Sequence, residues 1–243
     1  MRREISKWFS PNLNKDMEIV AYGDYGFALL LFPTAAADYL EYERFQMIET
    51  LAPYIDAGRV KVYSINSINN ESWLNDEMNP RDKIVRHKQF NDYVTEEVVP
   101  FINNDCNNEA DIITSGASLG ALHCANLYFR RPDLFAGTIA MSGSYDLSDY
   151  SNGYFDEDCY FNSPMHYLPN LEDETILDQM RKSKHIHLLT GQGNYEKPQA
   201  TEELSAILNS KNVPNDAELW GLDVPHDWPT WRKMIPYIIE SKF

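Results

Sequence analysis

Residues 111–127 read DIITSGASLGALHCANL. The apolar run at the start of this stretch predicts a buried strand, and the residues after Gly120 have helical character. Between the two lies the sequence GASLG, in which Ser118 stands two residues from Gly116 and two residues from Gly120. A tight strand-to-helix turn holds a serine hydroxyl clear of the backbone and crowds the residues two before and two after it, so those residues must be small. The stretch therefore predicts a nucleophilic serine at the end of a strand.

The rest of the chain alternates apolar strands with helices around this turn, which predicts an α/β fold with a mainly parallel sheet covered by helices on both faces. No repeat, low-complexity segment or linker interrupts residues 1–243, so we expect one domain. The first two predicted strands have no helix between them and are expected to form an antiparallel edge. The predicted strands are Glu18–Tyr22, Phe27–Phe32, Val60–Ile65, Asp111–Thr114, Gly137–Met141, His185–Thr190 and Ala217–Trp220, and the predicted helices are Tyr39–Ile55, Pro80–Ile102, Leu119–Arg130, Thr201–Ser210 and Trp228–Ile239.

The composition excludes several classes of partner. The net charge of −16 over 243 residues repels phosphate backbones and anionic lipid surfaces, so neither nucleic acid nor a membrane is an expected partner. No stretch reaches the apolar length of a membrane span, and the N-terminal residues lack the apolar region of a signal peptide. The spacing of the three cysteines fits neither a zinc site nor a disulfide framework. We therefore expect a soluble, reduced, cytoplasmic protein.

A nucleophilic serine needs a histidine base, and His226 is the best placed of six histidines. It lies in the stretch LDVPHDWPTWRK, after the last predicted strand and before the last helix, which places it on a loop at the carboxyl edge of the sheet. The other five fall on helices, in a loop or within a strand, where packing or solvent exposure is the simpler interpretation: His87, His123, His166, His185 and His187.

The third member of such a site is a carboxylate that orients the imidazole. In hydrolases of this type the acid lies between the serine and the histidine along the chain, which leaves three candidates. Glu196 follows the strand HIHLLT in the Gly-rich loop GQGNYEKP and is favoured. Asp146, one strand earlier, and Asp223, three residues before His226, stay open as alternatives.

The backbone N–H groups that would stabilise an oxyanion have two expected sources. One is Leu119, because the first N–H groups of a helix lack partners within the helix. The second donor should come from the loop after Phe27–Phe32, which reads PTAAAD. Its small side chains allow close approach of a ligand, and either Thr34 or Ala35 could be the donor.

Taken together, these segments resemble the esterase D branch of the α/β-hydrolase superfamily, which includes S-formylglutathione hydrolases, enterochelin and feruloyl esterases, and the mycolyltransferases. The resemblance extends from LLFPTAAADYLEYERFQM to HDWPTWRKMIPYI, and GASLGALHCANLYFRRPDLFAGTIAMSGSYD is its most specific piece. Glu196 takes the place of the acid and His226 fits the His-x-Trp ending of the family. The loop departs from the family pattern, because Pro33-Thr34 replaces a Gly-Leu type pair.

The resemblance implies an α/β-hydrolase fold and a serine esterase that forms an acyl-enzyme without metal or cofactor. It also implies that residues 145–169, rich in Tyr, Phe and acidic side chains, line the substrate pocket as an insertion. An acylated sugar or an aromatic ester would suit such aromatic walls. An acyltransferase with the same triad, a serine peptidase, and a non-catalytic binding protein of the same fold are the alternatives, and a homo-oligomer is compatible with the sequence.

Overall fold

The computed structural model describes residues 1–35 and 37–243, and Ala36 lies outside the described residues. The described residues form one eight-stranded sheet. Four of the predicted strands, those that begin at Phe27, Val60, Gly137 and His185, have the predicted bounds. The strands are β1 (Arg3–Ser10), β2 (Lys15–Tyr22), β3 (Phe27–Phe32), β4 (Val60–Ile65), β5 (Ile112–Ala117), β6 (Gly137–Met141), β7 (His185–Thr190) and β8 (Asp216–Leu219).

The strand order is β1-β2-β4-β3-β5-β6-β7-β8. β1 pairs antiparallel with β2, and β2 pairs antiparallel with β4, whereas every other pair is parallel. The expected fold class, a mainly parallel sheet with an antiparallel N-terminal edge, is confirmed. The expected pairing of Glu18–Tyr22 with Phe27–Phe32 is wrong, because β4 lies between β2 and β3 and pairs with both. The outer partner of β2 is β1, a strand that was not predicted.

The apolar sequence FALLLF explains why β3 lies inside the sheet. Its side chains alternate between two cores, with Leu30 and Phe32 in one and Leu29 and Leu31 in the other. All four are fully buried. A strand that is apolar on both faces must be covered on both faces, which is typical of parallel strands between helical layers.

The helices form these two layers. They are α1 (Glu41–Arg44), α2 (Met47–Asp56), α3 (Pro80–Tyr93), α4 (Val99–Asp105), α5 (Leu119–Arg130), α6 (Glu157–Tyr160), α7 (Pro164–Tyr167), α8 (Glu174–Lys182), α9 (Pro198–Ser210) and α10 (Trp228–Lys242). The first core includes residues of α3, α4, α5, α8 and α9, and the second includes residues of α2 and α10.

Two predicted helices are interrupted. The one expected over Tyr39–Ile55 is divided into α1 and α2 at Gln46, whose φ of 63° does not fit a right-handed helix. The one expected from Pro80 continues to Asp105, but residues Val94–Val98 form a π-helical turn between α3 and α4.

The carboxyl ends of the parallel strands meet at one edge of the sheet, which is where ligand sites of open α/β sheets form. The segment 145–169 begins shortly after β6 at this edge and contains a short 3₁₀ turn, α6, α7 and the start of a second 3₁₀ turn, Leu168–Asn170. In residues 1–35 and 37–243, no helix is long and apolar enough to cross a membrane.

Candidate active site

Ser118 occupies the turn between β5 and α5 in a conformation that side chains rarely adopt. Its φ is 57° and its ψ is −123°, and a positive φ is sterically costly for any residue except glycine. Its backbone N–H donates a hydrogen bond of 3.0 Å to the carbonyl oxygen of Met141 at the end of β6. The turn therefore holds the partly exposed serine in a strained position that its neighbours fix, as a nucleophile requires.

The two glycines around Ser118 are needed for space. A Cβ atom on Gly116 would lie 2.4 Å from the carbonyl oxygen of Gly120. A Cβ atom on Gly120 would lie 2.5 Å from the carbonyl oxygen of Phe32 and 2.6 Å from that of Pro33. Only glycine allows β5, α5 and the end of β3 to approach this closely, which explains the spacing of the GASLG sequence.

His226 lies on the loop between β8 and α10, as the sequence predicted. Its Nδ1 atom is 3.4 Å from Oε2 of Glu196. Its backbone N–H donates to the carbonyl oxygen of Asn194 at 3.0 Å, and its ring packs edge-to-face against Trp231 at a centroid distance of 5.1 Å. The backbone contact fixes the position of His226, and Trp231 packs against its ring, so the imidazole is held beside the carboxylate.

The loops that carry Glu196 and His226 are joined through their backbones. The N–H of Gly193 donates a hydrogen bond of 2.9 Å to the carbonyl oxygen of Val224. A Cβ on Gly191 would lie 2.1 Å from the same oxygen, so only glycine fits there. The glycines of GQGNYEKP therefore allow Glu196 to lie beside His226, although 30 residues separate the two in the chain.

The side chain of Glu196 is buried and well hydrogen-bonded. Burial alone would raise the pKa of its carboxyl, but hydrogen bonds from His226, Ser142 and Thr190 outweigh burial and lower the pKa below its usual value. The Ser142 hydroxyl donates to Oε1 at 2.7 Å, and the Thr190 hydroxyl lies 3.0 Å from Oε2. The carboxylate thus stays ionised and faces His226.

Sequence reasoning missed the residues that support this acid. Ser142 accepts a hydrogen bond of 3.0 Å from Nε1 of Trp231 while it donates to Glu196, and its own φ is 52°. The signal available in the sequence was the position of Ser142 directly after the strand GTIAM, at the carboxyl edge of the sheet. Trp231 is one of several buried apolar residues of α10, so nothing in the sequence marked it as a support for the acid.

The two alternative acids lie elsewhere. Asp146 accepts hydrogen bonds from the backbone N–H of Ser148 at 2.8 Å and from its hydroxyl at 2.7 Å, and so caps a 3₁₀ turn. Asp223 is exposed, and no hydrogen bond joins it to His226 in the described part of the chain. Of the three candidates, Glu196 is the one beside the imidazole.

Ser118 and His226 line the same cavity, whose volume is about 240 Å³. The two side chains do not hydrogen-bond each other, and hydrogen bonds of this kind are often long in a free enzyme and tighten with substrate. Tyr150, from the segment 145–169, and the exposed Tyr195 form aromatic parts of the wall. The complete lining is Ser118, Ser142, Gly143, Ser144, Tyr150, Tyr195, Lys197 and His226.

The backbone N–H groups expected to stabilise an oxyanion are not all free to bind one. Leu119 is the first residue of α5, so its N–H has no acceptor within the helix. The N–H of Thr34 is already used, because it donates to Oε2 of Glu41 at 2.8 Å. Among the residues that the structure describes, no acceptor is found for the N–H of Ala35. Ala36, in the same loop, is not described.

Residues 1–35 and 37–243 contain no group of three or more His, Cys, Asp or Glu side chains that is arranged to hold a metal ion. The arrangement around the cavity instead combines a strained serine, a histidine and an ionised carboxylate. This set can transfer a proton from the serine to the imidazole and stabilise the imidazolium that results.

The chain is similar in sequence to one family of enzymes. The model of the family described as "Putative esterase" matches residues 63–239, which is most of the chain. No curated protein matches the sequence significantly.

Solved structures share the fold along nearly the whole length. A ferulic acid esterase superposes with a TM-score of 0.76 at 16% identity, over 98% of this chain and 96% of its own. An S-formylglutathione hydrolase from Agrobacterium tumefaciens gives a TM-score of 0.70 at 11% identity, over 99% and 95%. MPT51 from Mycobacterium tuberculosis gives 0.62 at 14% identity, over 99% and 97%. The sequence match and the shared architecture establish that the chain belongs to the esterase family and is a carboxylic ester hydrolase with the α/β-hydrolase fold.

Proposed function

We propose that the protein is a serine esterase that hydrolyses a small-molecule carboxylic ester through Ser118, His226 and Glu196 by way of an acyl-enzyme. The observation that carries the proposal is the cavity whose wall contains both the strained Ser118 and the imidazole that contacts Glu196. A hydroxyl, a base and an orienting carboxylate are the groups that nucleophilic acyl transfer requires.

The first half-reaction forms the acyl-enzyme. Oγ of Ser118 attacks the ester carbonyl carbon while Nε2 of His226 takes the hydroxyl proton, and Nδ1–H of His226 stays directed at Glu196. The tetrahedral intermediate collapses when the C–O bond to the alcohol breaks and Nε2 returns its proton to the departing oxygen. The acyl group is then esterified to Ser118, and the alcohol leaves as a neutral molecule.

The second half-reaction releases the acid. A water molecule takes the place of the alcohol, gives a proton to His226 and attacks the acyl carbon. Collapse of this intermediate breaks the bond to Ser118 Oγ, which recovers its proton from His226. In both intermediates the N–H of Leu119 is one oxyanion donor, and the loop after β3 supplies the other.

The substrate class is inferred from the cavity wall. Tyr150 and Tyr195 offer aromatic surface beside Ser118, and Lys197 is paired with Asp149 at 3.2 Å, so its charge is balanced. An aromatic acyl group or an acylated sugar would stack on such a wall. The similarity to a ferulic acid esterase supports the aromatic alternative. Tyr150 belongs to residues 145–169, which we take to be a pocket-lining insertion within a single domain.

A fluorophosphonate probe and a panel of esters test the proposal. We expect the probe to label the protein once, on Ser118 by peptide mass spectrometry, and Ser118→Ala to abolish labelling and hydrolysis of acetyl, butyryl and feruloyl esters. The loss in kcat should reach several orders of magnitude, about the 10⁶-fold loss seen when a serine nucleophile is removed. Normal turnover by a folded Ser118→Ala variant, or a probe adduct on another residue, would exclude this mechanism.

A further inference from the structure

Buried polar side chains hold the loop after β3, where this chain has Pro33-Thr34 and departs from the pattern of the resembled family. Thr34 makes two hydrogen bonds to Glu41 in α1, from its backbone N–H to Oε2 at 2.8 Å and from its hydroxyl to Oε1 at 2.5 Å. Glu41 is only 4% exposed. Burial raises the pKa of Glu41, while the hydrogen bonds from Thr34 oppose this shift. A buried carboxyl with both oxygens bound to one residue fixes that residue firmly.

Asn69 holds the same loop from another direction. Its Nδ2 atom donates to the carbonyl oxygen of Ala35 at 2.7 Å and lies 3.3 Å from the carbonyl oxygen of Thr34. Its Oδ1 atom is 2.9 Å from Nε2 of His123, on the helix that begins at the nucleophile turn. Asn69 and His123 are each 1% exposed. The loop and the helix after Ser118 are thus connected through one amide side chain.

The carbonyl oxygens that face the amide of Asn69 fix the direction of its hydrogen bond with His123. Burial lowers the pKa of His123 to about 4, so the ring is neutral at neutral pH. Because the amide N–H₂ of Asn69 faces two carbonyl oxygens, its Oδ1 must be the acceptor, and Nε2 of His123 must carry the hydrogen. Asn69 therefore cannot rotate by 180° without losing all three contacts.

These contacts select one of the two candidate donors. The N–H of Thr34 points at Glu41 and is not available to a ligand. The carbonyl of Thr34 and the N–H of Ala35 belong to the same trans peptide group, in which they point in opposite directions. With Asn69 on the carbonyl side, the N–H of Ala35 points away from Asn69.

We infer that Glu41 and Asn69 are positioning residues that aim the N–H of Ala35 as the second oxyanion donor, with His123 orienting Asn69. This inference rests on the proposed function. It explains how a loop with Pro33-Thr34 can serve where relatives of the resembled branch use a Gly-Leu type pair. Buried side chains here supply the rigidity that preorganised donors require.

Three substitutions test the role of the loop contacts. Asn69→Asp keeps the shape of the side chain but places an oxygen against the carbonyls of Thr34 and Ala35, so the peptide group should turn. Glu41→Ala removes both contacts to Thr34. Glu41→Gln keeps both, because its amide oxygen can accept from the N–H of Thr34 and its amide N–H₂ can donate to the Thr34 hydroxyl. Because removal of one oxyanion donor lowers kcat by about 10²–10³, we expect Asn69→Asp and Glu41→Ala to lower kcat by roughly 10- to 100-fold. Glu41→Gln should recover most of the rate.

The measurements separate positioning from folding. KM should stay within about twofold of wild type, because the donor acts mainly in the transition state. The affinity for a trifluoromethyl ketone, which forms an oxyanion on Ser118, should fall by the same factor as kcat. The matched control is Asn91→Asp. The amide of Asn91 is buried, donates to Asn162 at 2.7 Å and makes no hydrogen bond to the loop. It should keep the wild-type kcat.

The outcomes are distinct. If both Asn69→Asp and Glu41→Ala keep the wild-type kcat and the wild-type affinity for the ketone, the inference is wrong. Probe labelling of Ser118 would still support the proposed function in that case. Equal losses in Asn91→Asp would also overturn it, since they would reflect general loosening of the core. If Asn69→Asp does not fold, the Glu41→Ala and Glu41→Gln pair decides alone. A wild-type protein without labelling or ester hydrolysis would remove both proposals together.

Discussion

Ser142 donates a hydrogen bond of 2.7 Å to Glu196, although 54 residues separate them in the chain. The same hydroxyl oxygen accepts from Nε1 of Trp231 at 3.0 Å. Trp231 also packs against the ring of His226. Glu196 therefore contacts His226 directly, and Trp231 links His226 to the hydroxyl of Ser142, which binds Glu196. Such a second layer of contacts keeps catalytic side chains in place.

Removal of the Ser142 hydroxyl should impair catalysis more than folding. Ser142→Ala deletes one of the hydrogen bonds that lower the pKa of Glu196 and leaves Nε1 of Trp231 without its acceptor. Loss of a hydrogen bond to a charged group costs about 1.5–3 kcal/mol, so we expect kcat to fall by roughly 10- to 100-fold. Kinetics with a short-chain ester measure this loss.

The backbone at Ser142 supplies the control for this prediction. Its φ of 52° suits glycine better than alanine. Ser142→Gly removes the same hydroxyl without backbone strain and should lose as much kcat as Ser142→Ala while it unfolds at a higher temperature. If Ser142→Gly turned over ester at the wild-type rate, the strain and not the hydrogen bond would be responsible.

The identity of the acid is tested by three amide substitutions. Glu196→Gln presents His226 with an amide in place of the carboxylate at 3.4 Å and should lower kcat by up to about four orders of magnitude, the loss found when a serine-protease acid becomes an amide. Asp146→Asn and Asp223→Asn are controls, since neither contacts His226, and should change kcat little. Circular dichroism checks that all three fold. A crippled Asp146→Asn beside an active Glu196→Gln would mean that the acid assignment is wrong.

Local sequence was sufficient where the physical constraint is local. The turn at Ser118 needs small residues two positions away on each side, so the pattern itself predicts it. The position of His226 follows from its place after the last strand. Apolar runs that are buried on both faces, such as Phe27–Phe32, were predicted with correct bounds.

Contacts between distant segments could not be predicted in the same way. The sequence left Thr34 and Ala35 equal as donors, because it gave no sign that Glu41 takes the N–H of Thr34. β1 was missed because Trp8 and Phe9 are adjacent and break the alternation of apolar and polar residues that marks an edge strand. The antiparallel partners of β2 are β1 and β4 instead of β3, a choice of partner that no single strand encodes.

Gly120 should be needed for both stability and activity. A methyl group there would lie 2.5 Å from the carbonyl oxygen of Phe32 and 2.6 Å from that of Pro33, so Gly120→Ala must displace the start of the loop after β3. Overpacking of this kind costs about 1–3 kcal/mol. We expect Gly120→Ala to unfold at a lower denaturant concentration and to lose most of its kcat even where it is folded.

Gly58→Ala is the control for Gly120→Ala. Its φ is 69°, so alanine there is strained by about 1–2 kcal/mol, but the nearest atom to the added Cβ is Cβ of Tyr25 at 3.6 Å, an ordinary contact. It should lose some stability and keep its kcat. Equal loss of kcat in both variants would show that global destabilisation, and not displacement of the loop, causes the effect at Gly120.

The buried histidine His187 should make stability depend on pH. It is completely buried in β7, and burial lowers its pKa to about 4, although Asp216 partly opposes the shift. In the unfolded chain a histidine titrates near pH 6.5, so between about pH 6.5 and 4 the unfolded state binds more protons and the free energy of unfolding falls as the pH falls. His187→Leu should therefore reduce the slope of that free energy by up to about 1.4 kcal/mol per pH unit in this range. Urea denaturation of both proteins at pH 5 and pH 6 measures the slopes, and equal slopes would mean that His187 is protonated to the same extent in the folded and unfolded states.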